Sequence, residues 1–174
     1  MADDDESWIS SDLSSIDPRV AALLAGETQL LRLFASGTDV YVAFASMVFP
    51  GVEIVKGGKN NHLRDLGKEA VIGLIYGMSL PTFIETVLEK FPGTDLSLIE
   101  RVFYAFDRVF PMIKAFREQL FRAFRDTFAD GKPRRVGLCW FSIAEDLPQG
   151  GRHIAVRLPT WRSLYFRSVV KLQQ

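Results

Sequence analysis

The sequence predicts an α+β fold that is mostly helical, with strands gathered towards the C-terminal end. Three observations carry that expectation. Apolar residues recur at helical spacing through most of the first 130 positions. Proline and glycine punctuate that pattern at short intervals. After Gly131-Lys132-Pro133 the text turns to alternating, β-branched and aromatic runs.

Taken in order, Trp8 to Leu13 alternates loosely and predicts a strand. Asp17-Pro18 predicts a helix start, with Asp as N-cap and Pro at the first helical position. Val20, Leu23 and Leu24 give that helix its apolar face, and Gly26 ends it. Glu27 to Ala35 forms a second short helix, stopped by Gly37. Asp39 caps a third, which runs to about Val48 before Phe49-Pro50-Gly51. Residues 51–58 read as a loop. A longer helix follows from about Asn60 to Tyr76, and Ser79 with Pro81 opens another that Phe91-Pro92-Gly93 terminates. From Asp95 to Phe128 the pattern is amphipathic and rich in Phe, and Pro111 is expected to kink or split it. Phe103, Phe106, Phe110, Phe116, Phe121 and Phe124 read as packing residues. Val136 to Ile143 and His153 to Val170 predict strands, with a Pro-Gln-Gly-Gly turn between them.

At 174 residues and 48% hydrophobic, the chain is one domain or a large piece of one, with a real core. Its apolar runs fall far short of the roughly 20 residues of a membrane span, so no membrane partner is expected. The acidic Met1-Ala2-Asp3-Asp4-Asp5-Glu6 start is unlike a signal peptide. One cysteine, Cys139, excludes an intrachain disulfide; its apolar setting marks it as a small core residue. Net charge is zero, but residues 1–100 hold 7 Lys/Arg against 15 Asp/Glu and residues 101–174 hold 14 against 6. A basic half can track phosphates. His62 and His153 lack metal-ligand spacing and read as surface or hydrogen-bonding residues.

Within the longer helix, Arg64, Lys68, Ile72 and Tyr76 stand four residues apart. Such steps keep side chains along one slowly drifting stripe. Two cations, an aliphatic residue and an aromatic ring thus lie in the order that the phosphates and base of a nucleoside triphosphate would meet. An ordinary solvated face, with Asp65 pairing Lys68, fits the same spacing.

The full string R-D-L-G-K-E-A-V-I-G-L-I-Y-G-M resembles the fingers helix of family A DNA polymerases, the DNA polymerase I type, and is most similar to the bacteriophage branch. Ser11 to Val20, S-D-L-S-S-I-D-P-R-V, resembles the family's palm motif D-[YF]-S-Q-I-E-x-R-V. The text after it, through A-A-L-L-A-G-E to F-A-S-G-T-D-V-Y, continues the likeness. Residues 153–166 resemble a further phage-branch segment containing L-P-S-G-R. Here Thr160-Trp161 replaces Ser-Gly, a departure that weakens the case for a tight turn.

The resemblance implies a partial polymerase: a palm strand and helix start at 1–20, helical fingers at 21–130 and a β-rich segment at 131–174. It implies two-metal Mg²⁺ chemistry, with Asp12 as a catalytic metal carboxylate and the main-chain carbonyl of Leu13 supporting the second ion. It also implies that Arg64 holds the outer phosphates and that Lys68 neutralises the triphosphate and protonates the leaving pyrophosphate. Ile72 and Tyr76 would lie beside the incoming sugar and base, Asp17 against the ribose 2′ position, and Arg19 in a structural ion pair. Gly73 and Gly77 would permit close approach. The family's second catalytic carboxylate, in an H-D-E motif, has no counterpart in the 174 residues.

The expected activity is therefore DNA-directed DNA polymerisation, on a primer-template and from dNTPs, by a split or truncated unit that is inactive alone. A second polypeptide would supply the missing motif. The expected location is the cytoplasm, of a bacterial host if phage-encoded. The alternative is a non-catalytic nucleotide- or DNA-binding module that keeps the polymerase fold.

Overall fold

The computed structural model describes residues 14–144 and 153–166. Seven helices come first: α1 (Ile16–Ala25), α2 (Thr28–Ala35), α3 (Val40–Val48), α4 (Asn61–Ile75), α5 (Leu80–Lys90), α6 (Leu96–Val109) and α7 (Pro111–Asp130). Four strands follow: β1 (Arg134–Val136), β2 (Cys139–Ala144), β3 (His153–Arg157) and β4 (Ser163–Phe166). They form one antiparallel sheet in sequence order. The α+β expectation holds. The predicted strand at Trp8–Leu13 and the Pro-Gln-Gly-Gly turn lie outside the described residues.

Most helix boundaries follow local chemistry. The Asp39 carboxylate accepts from the N–H groups of Tyr41 and Val42, and the Ser79 hydroxyl accepts from Thr82 N–H. Pro111 splits the long amphipathic pattern in two, with Phe110 at the break. The first helix differs from expectation. It begins at Ile16 after Ser15, whose φ of 53° is left-handed, so Asp17 and Pro18 occupy its second and third positions. The first four N–H groups of any helix lack intrahelical partners, so the proline removes nothing there.

Helix α4 is the hub of the helical layer. It packs against α1, α3, α5 and α6 and buries Leu63, Leu66, Gly67, Ala70, Val71, Gly73, Leu74 and Ile75. Below it, Phe44 stacks on Phe110 at 5.6 Å and meets Phe106 edge-on at 6.1 Å. Gly67 sets the approach of α3: a Cβ there would stand 3.1 Å from the Tyr41 carbonyl oxygen. A helix backbone cannot swing aside like a side chain. Gly67→Ala should therefore cost about 1–2 kcal/mol by overpacking, although alanine is the better helix former. Urea denaturation measures the loss, and an unchanged midpoint would contradict this packing.

Helix α7 joins two cores. Ile113 near its start belongs to the helical core, while Phe116, Leu120, Ala123, Phe124 and Phe128 pack against one face of the sheet. The sheet contributes Val136, Cys139, Phe141, Ile154 and Val156 to that contact. Cys139 is a buried core residue, as its apolar context predicted, and burial pushes its thiol pKa up. Phe121 departs from the packing expectation: it is 68% exposed. Two strand predictions also need correction. Gly137, with φ 55°, turns the first run into a hairpin between β1 and β2. The second run is interrupted between Arg157 and Ser163, where β3 turns into β4.

Candidate functional site

Four-residue steps advance about 40° beyond a full turn in a helix of 3.6 residues per turn, so the α4 stripe winds by about a third of a turn from Arg64 to Tyr76. Its two ends consequently meet different neighbours. Arg64 turns towards α3, and its side chain is only 11% exposed. Its Nε and Nη2 donate to one Asp39 carboxylate oxygen at 3.0 and 2.9 Å, and Nη1 donates to Asp65 at 3.1 Å. The guanidinium also lies 5.4 Å from the Tyr41 ring centre.

The Asp39–Arg64 pair is coupled electrostatically. Burial opposes ionisation of Asp39, but the Arg64 hydrogen bond, the Val42 and Tyr41 N–H groups and the guanidinium charge outweigh it, holding the carboxyl below the usual carboxylate range. Burial likewise disfavours the Arg64 cation, and the Asp39 and Asp65 carboxylates reverse that balance. Arg64, Asp39, Arg19, Lys56, Ser15 and Thr38 line a polar cleft of about 320 Å³. Three cations against one carboxylate make this cleft suited to an anion.

Lys68 sits one turn further on and is exposed. Among the described residues no carboxylate pairs with it. Asp65, its expected partner on an ordinary solvated face, is engaged instead by Arg64 and by Asn61 Nδ2 at 2.6 Å. Ile72 is half-buried and packs onto the helical core.

Tyr76 caps the far end of α4 and is 71% exposed. Its hydroxyl pKa is raised, first by lost hydration and then by the hydrogen bond and negative charge of Asp17. Tyr76 and Asp17, read from two motifs about sixty positions apart, thus meet across the rim of a groove of about 270 Å³ floored by Leu24, Phe116 and Leu120. On the other side of Tyr76 a wider cleft of about 600 Å³ is lined by Gly77, Met78, Phe103, Arg117 and Phe121. Gly77, with φ 79°, is required by its conformation. Gly73 makes room for Met78, whose Sδ and Cε would lie 3.1 Å from an added Cβ.

Two supports of this site were not read from the sequence. Arg117 on α7 donates to the Leu74 carbonyl at the end of α4 and to Asp107 at 2.9 Å, tying α4, α6 and α7 together. Glu27, 3% exposed, accepts from Gln29 N–H at 3.3 Å and Met112 N–H at 3.0 Å, so one carboxylate serves the starts of α2 and α7. Arg19 departs from its expected role: it makes no ion pair among the described residues, but donates to the Ser14 carbonyl and lies 4.2 Å from the Phe34 ring centre. Asp12 and Leu13 lie outside the described residues. Within those residues no group of three or more His, Cys, Asp or Glu is placed to hold a metal ion. No described helix is long and apolar enough to cross a membrane.

Fold and site together define an α+β unit whose central helix offers a cation and an aromatic ring to solvent beside a polar cleft. The chain belongs to DNA polymerase family A, whose family model matches residues 1–129. It is 39% identical over 72 residues to DNA polymerase I of Chloroflexus aurantiacus, covering 41% of this chain and 7% of that protein. Against DNA polymerase I of Streptococcus pneumoniae strain R6 it is 29% identical over 137 residues, covering 71% and 15%. Thermostable DNA polymerase I of Thermus aquaticus is 29% identical over 107 residues, with 60% and 12% covered. The chain therefore spans less than a sixth of the length of each of these relatives.

Proposed function

We propose that this chain is the nucleotide-handling palm and fingers portion of a bacteriophage-type DNA-directed DNA polymerase, serving template-dependent transfer from dNTPs in replication. Family membership supports the polymerase reading. The observation that carries the site is Lys68: an exposed cation with no carboxylate partner among the described residues, one turn from an Arg64 already held in place. Phosphoryl transfer needs charge neutralisation and positioning more than covalent help. In this reading Arg64, fixed by Asp39 and Asp65 at the edge of the polar cleft, meets the outer phosphates with its remaining N–H donors. Lys68 neutralises the triphosphate and supplies a proton to the leaving pyrophosphate. Ile72 lines the approach to the sugar, Tyr76 faces the base, and Asp17 beside it restricts the 2′ position.

Mg²⁺ would be held by Asp12 and the Leu13 carbonyl and would lower the charge on the phosphates. A second carboxylate is needed for two-metal chemistry; these 174 residues hold no H-D-E, so they are proposed to work with a further segment that carries it and to be inactive without it.

Binding of a fluorescent dATP analogue tests the reading. Lys68→Ala should weaken affinity about tenfold or more, the worth of a charge-assisted phosphate contact, and leave the urea midpoint unchanged because Lys68 is exposed and makes no ion pair among the described residues. Equal affinity in wild type and Lys68→Ala would sink the assignment.

A further inference from the structure

The sheet has a second face, which α7 does not cover. Cross-strand registers place Arg135, Trp140, Arg157 and Ser163 in one row across the four strands, and Ser142, Ala155 and Tyr165 in the next on the same side. Phe141 and Val156, one position along, point the other way into the α7 contact. The open face is therefore a separate surface from the α4 site. Trp140 is 43% exposed, Tyr165 53% and Trp161 80%. Arg135, Trp140, Arg157, Pro159 and Trp161 line a shallow groove of about 380 Å³.

Two features make this more than a stray apolar patch. The first is charge. Described residues 131–144 and 153–166 contain Lys132, Arg134, Arg135, Arg157 and Arg162 and no Asp or Glu. Arg134 is neutralised by Asp130 of α7 at 2.7 Å, whereas no carboxylate among the described residues pairs with Arg135, Arg157 or Arg162. The second is Trp161. The β3–β4 turn closes through Leu158 N–H to Arg162 C=O at 2.8 Å and Trp161 N–H to Leu158 C=O at 3.0 Å, with Trp161 at φ 65°. That left-handed position is the one glycine fills without strain in a three-residue hairpin loop. A large ring is held there against its conformational preference and directed into solvent, with the Arg157 guanidinium 6.0 Å from its centre.

We infer that this open face is a binding platform for single-stranded DNA, gripping phosphates with Arg135 and Arg157 and stacking bases on Trp140 and Trp161. A basic surface interleaved with exposed aromatic rings is how proteins hold single strands without reading sequence, because every base has a π-face and every linkage a charge. A duplex hides its base faces and cannot use the rings. A purely apolar partner surface would meet the rings but leave Arg135 and Arg157 uncompensated, whereas a nucleic-acid strand supplies a ring face and a charge at each linkage. The choice of DNA over RNA rests on the polymerase reading; the platform itself rests on the sheet.

The test is fluorescence anisotropy of a labelled 16-nucleotide oligo-dT with the full chain over a range of salt, beside the dATP-analogue titration. Trp140→Ala and Arg157→Ala should each weaken oligonucleotide binding about tenfold, and Arg157→Ala should also flatten the log–log salt slope by about 0.7, one phosphate contact on a single strand. Trp161→Gly removes the ring while relieving the backbone, so it should fold at least as well as wild type and still lose affinity. None of the three should change dATP affinity, and Lys68→Ala should leave oligo-dT binding intact. Oligo-dT affinity unaltered in the three sheet variants, or a duplex bound as tightly through the same residues, overturns the platform. Loss of dATP binding to the wild type with the sheet effects intact would instead remove the nucleotide reading alone.

Discussion

Asp39→Ala should lower the stability of the chain by about 3 kcal/mol. Asp39 does two jobs with one carboxylate: it caps α3 through Tyr41 and Val42 N–H, and it anchors the Arg64 guanidinium. Losing a cap costs about 0.5–2 kcal/mol. Removing one partner of a buried ion pair costs about 3–5 kcal/mol, but this pair is only partly buried and Arg64 keeps Asp65, which discounts that figure. Asp39→Asn separates the contributions, since asparagine caps as well as aspartate and cannot neutralise arginine. It should lose about half as much.

The pair also fixes the direction of the pH response. The Asp39 pKa is depressed in the folded state, so its stabilisation is complete above the unfolded value of about 3.9 and fades as pH falls through the folded value. Asp95, held down by Ser97, and Asp130, held down by Arg134, act with the same sign. Urea midpoints measured from pH 6 downwards should fall below about pH 4, and less steeply in Asp39→Asn. A midpoint that rises on acidification would contradict the pairing.

Glu27→Ala should destabilise the chain by a comparable amount, about 2–3 kcal/mol. The variant strips hydrogen bonds from the N–H groups of Gln29 and Met112 and leaves a void where a side chain only 3% exposed had stood. Losing a helix cap costs about 0.5–2 kcal/mol, and the void left by the buried Glu27 side chain adds to it. Glu27→Gln keeps one acceptor oxygen in place of two and should fall between. Because Glu27 joins α2 to the start of α7, hydrogen exchange should speed up at both helix starts. Faster exchange at α2 alone would show that the α7 bond contributes nothing.

These two carboxylates mark the limit of what was legible in the sequence. Elements whose signals are local were readable. Asp39 and Ser79 announce their helices by side-chain capping, Pro111 breaks a helix because it has no N–H to give, and the four-residue spacing of Arg64 to Tyr76 belongs to α4 alone. The destination of a side chain was not readable when it depends on a distant segment. Arg64 and Asp39 are 25 positions apart, and Glu27 and Met112 are 85. Glutamate is also a poor N-cap by type, so nothing at Glu27 signalled the role it has. The stripe was legible as a pattern, yet its winding sends Arg64 to α3 and Tyr76 to α1, which only the packed helices decide. Trp161 shows the opposite case: the usual glycine is missing, and the turn forms nonetheless because the β3–β4 pairing on either side imposes it.

Primer extension decides whether these residues carry part of a polymerase active site. The full chain would be assayed with Mg²⁺, a primed template and all four dNTPs, with and without a separately expressed family segment carrying H-D-E. Extension is expected only when that segment is present, abolished by Asp12→Asn and strongly reduced by Lys68→Ala. Extension by the chain alone, or reconstituted extension indifferent to Lys68→Ala, would contradict that expectation.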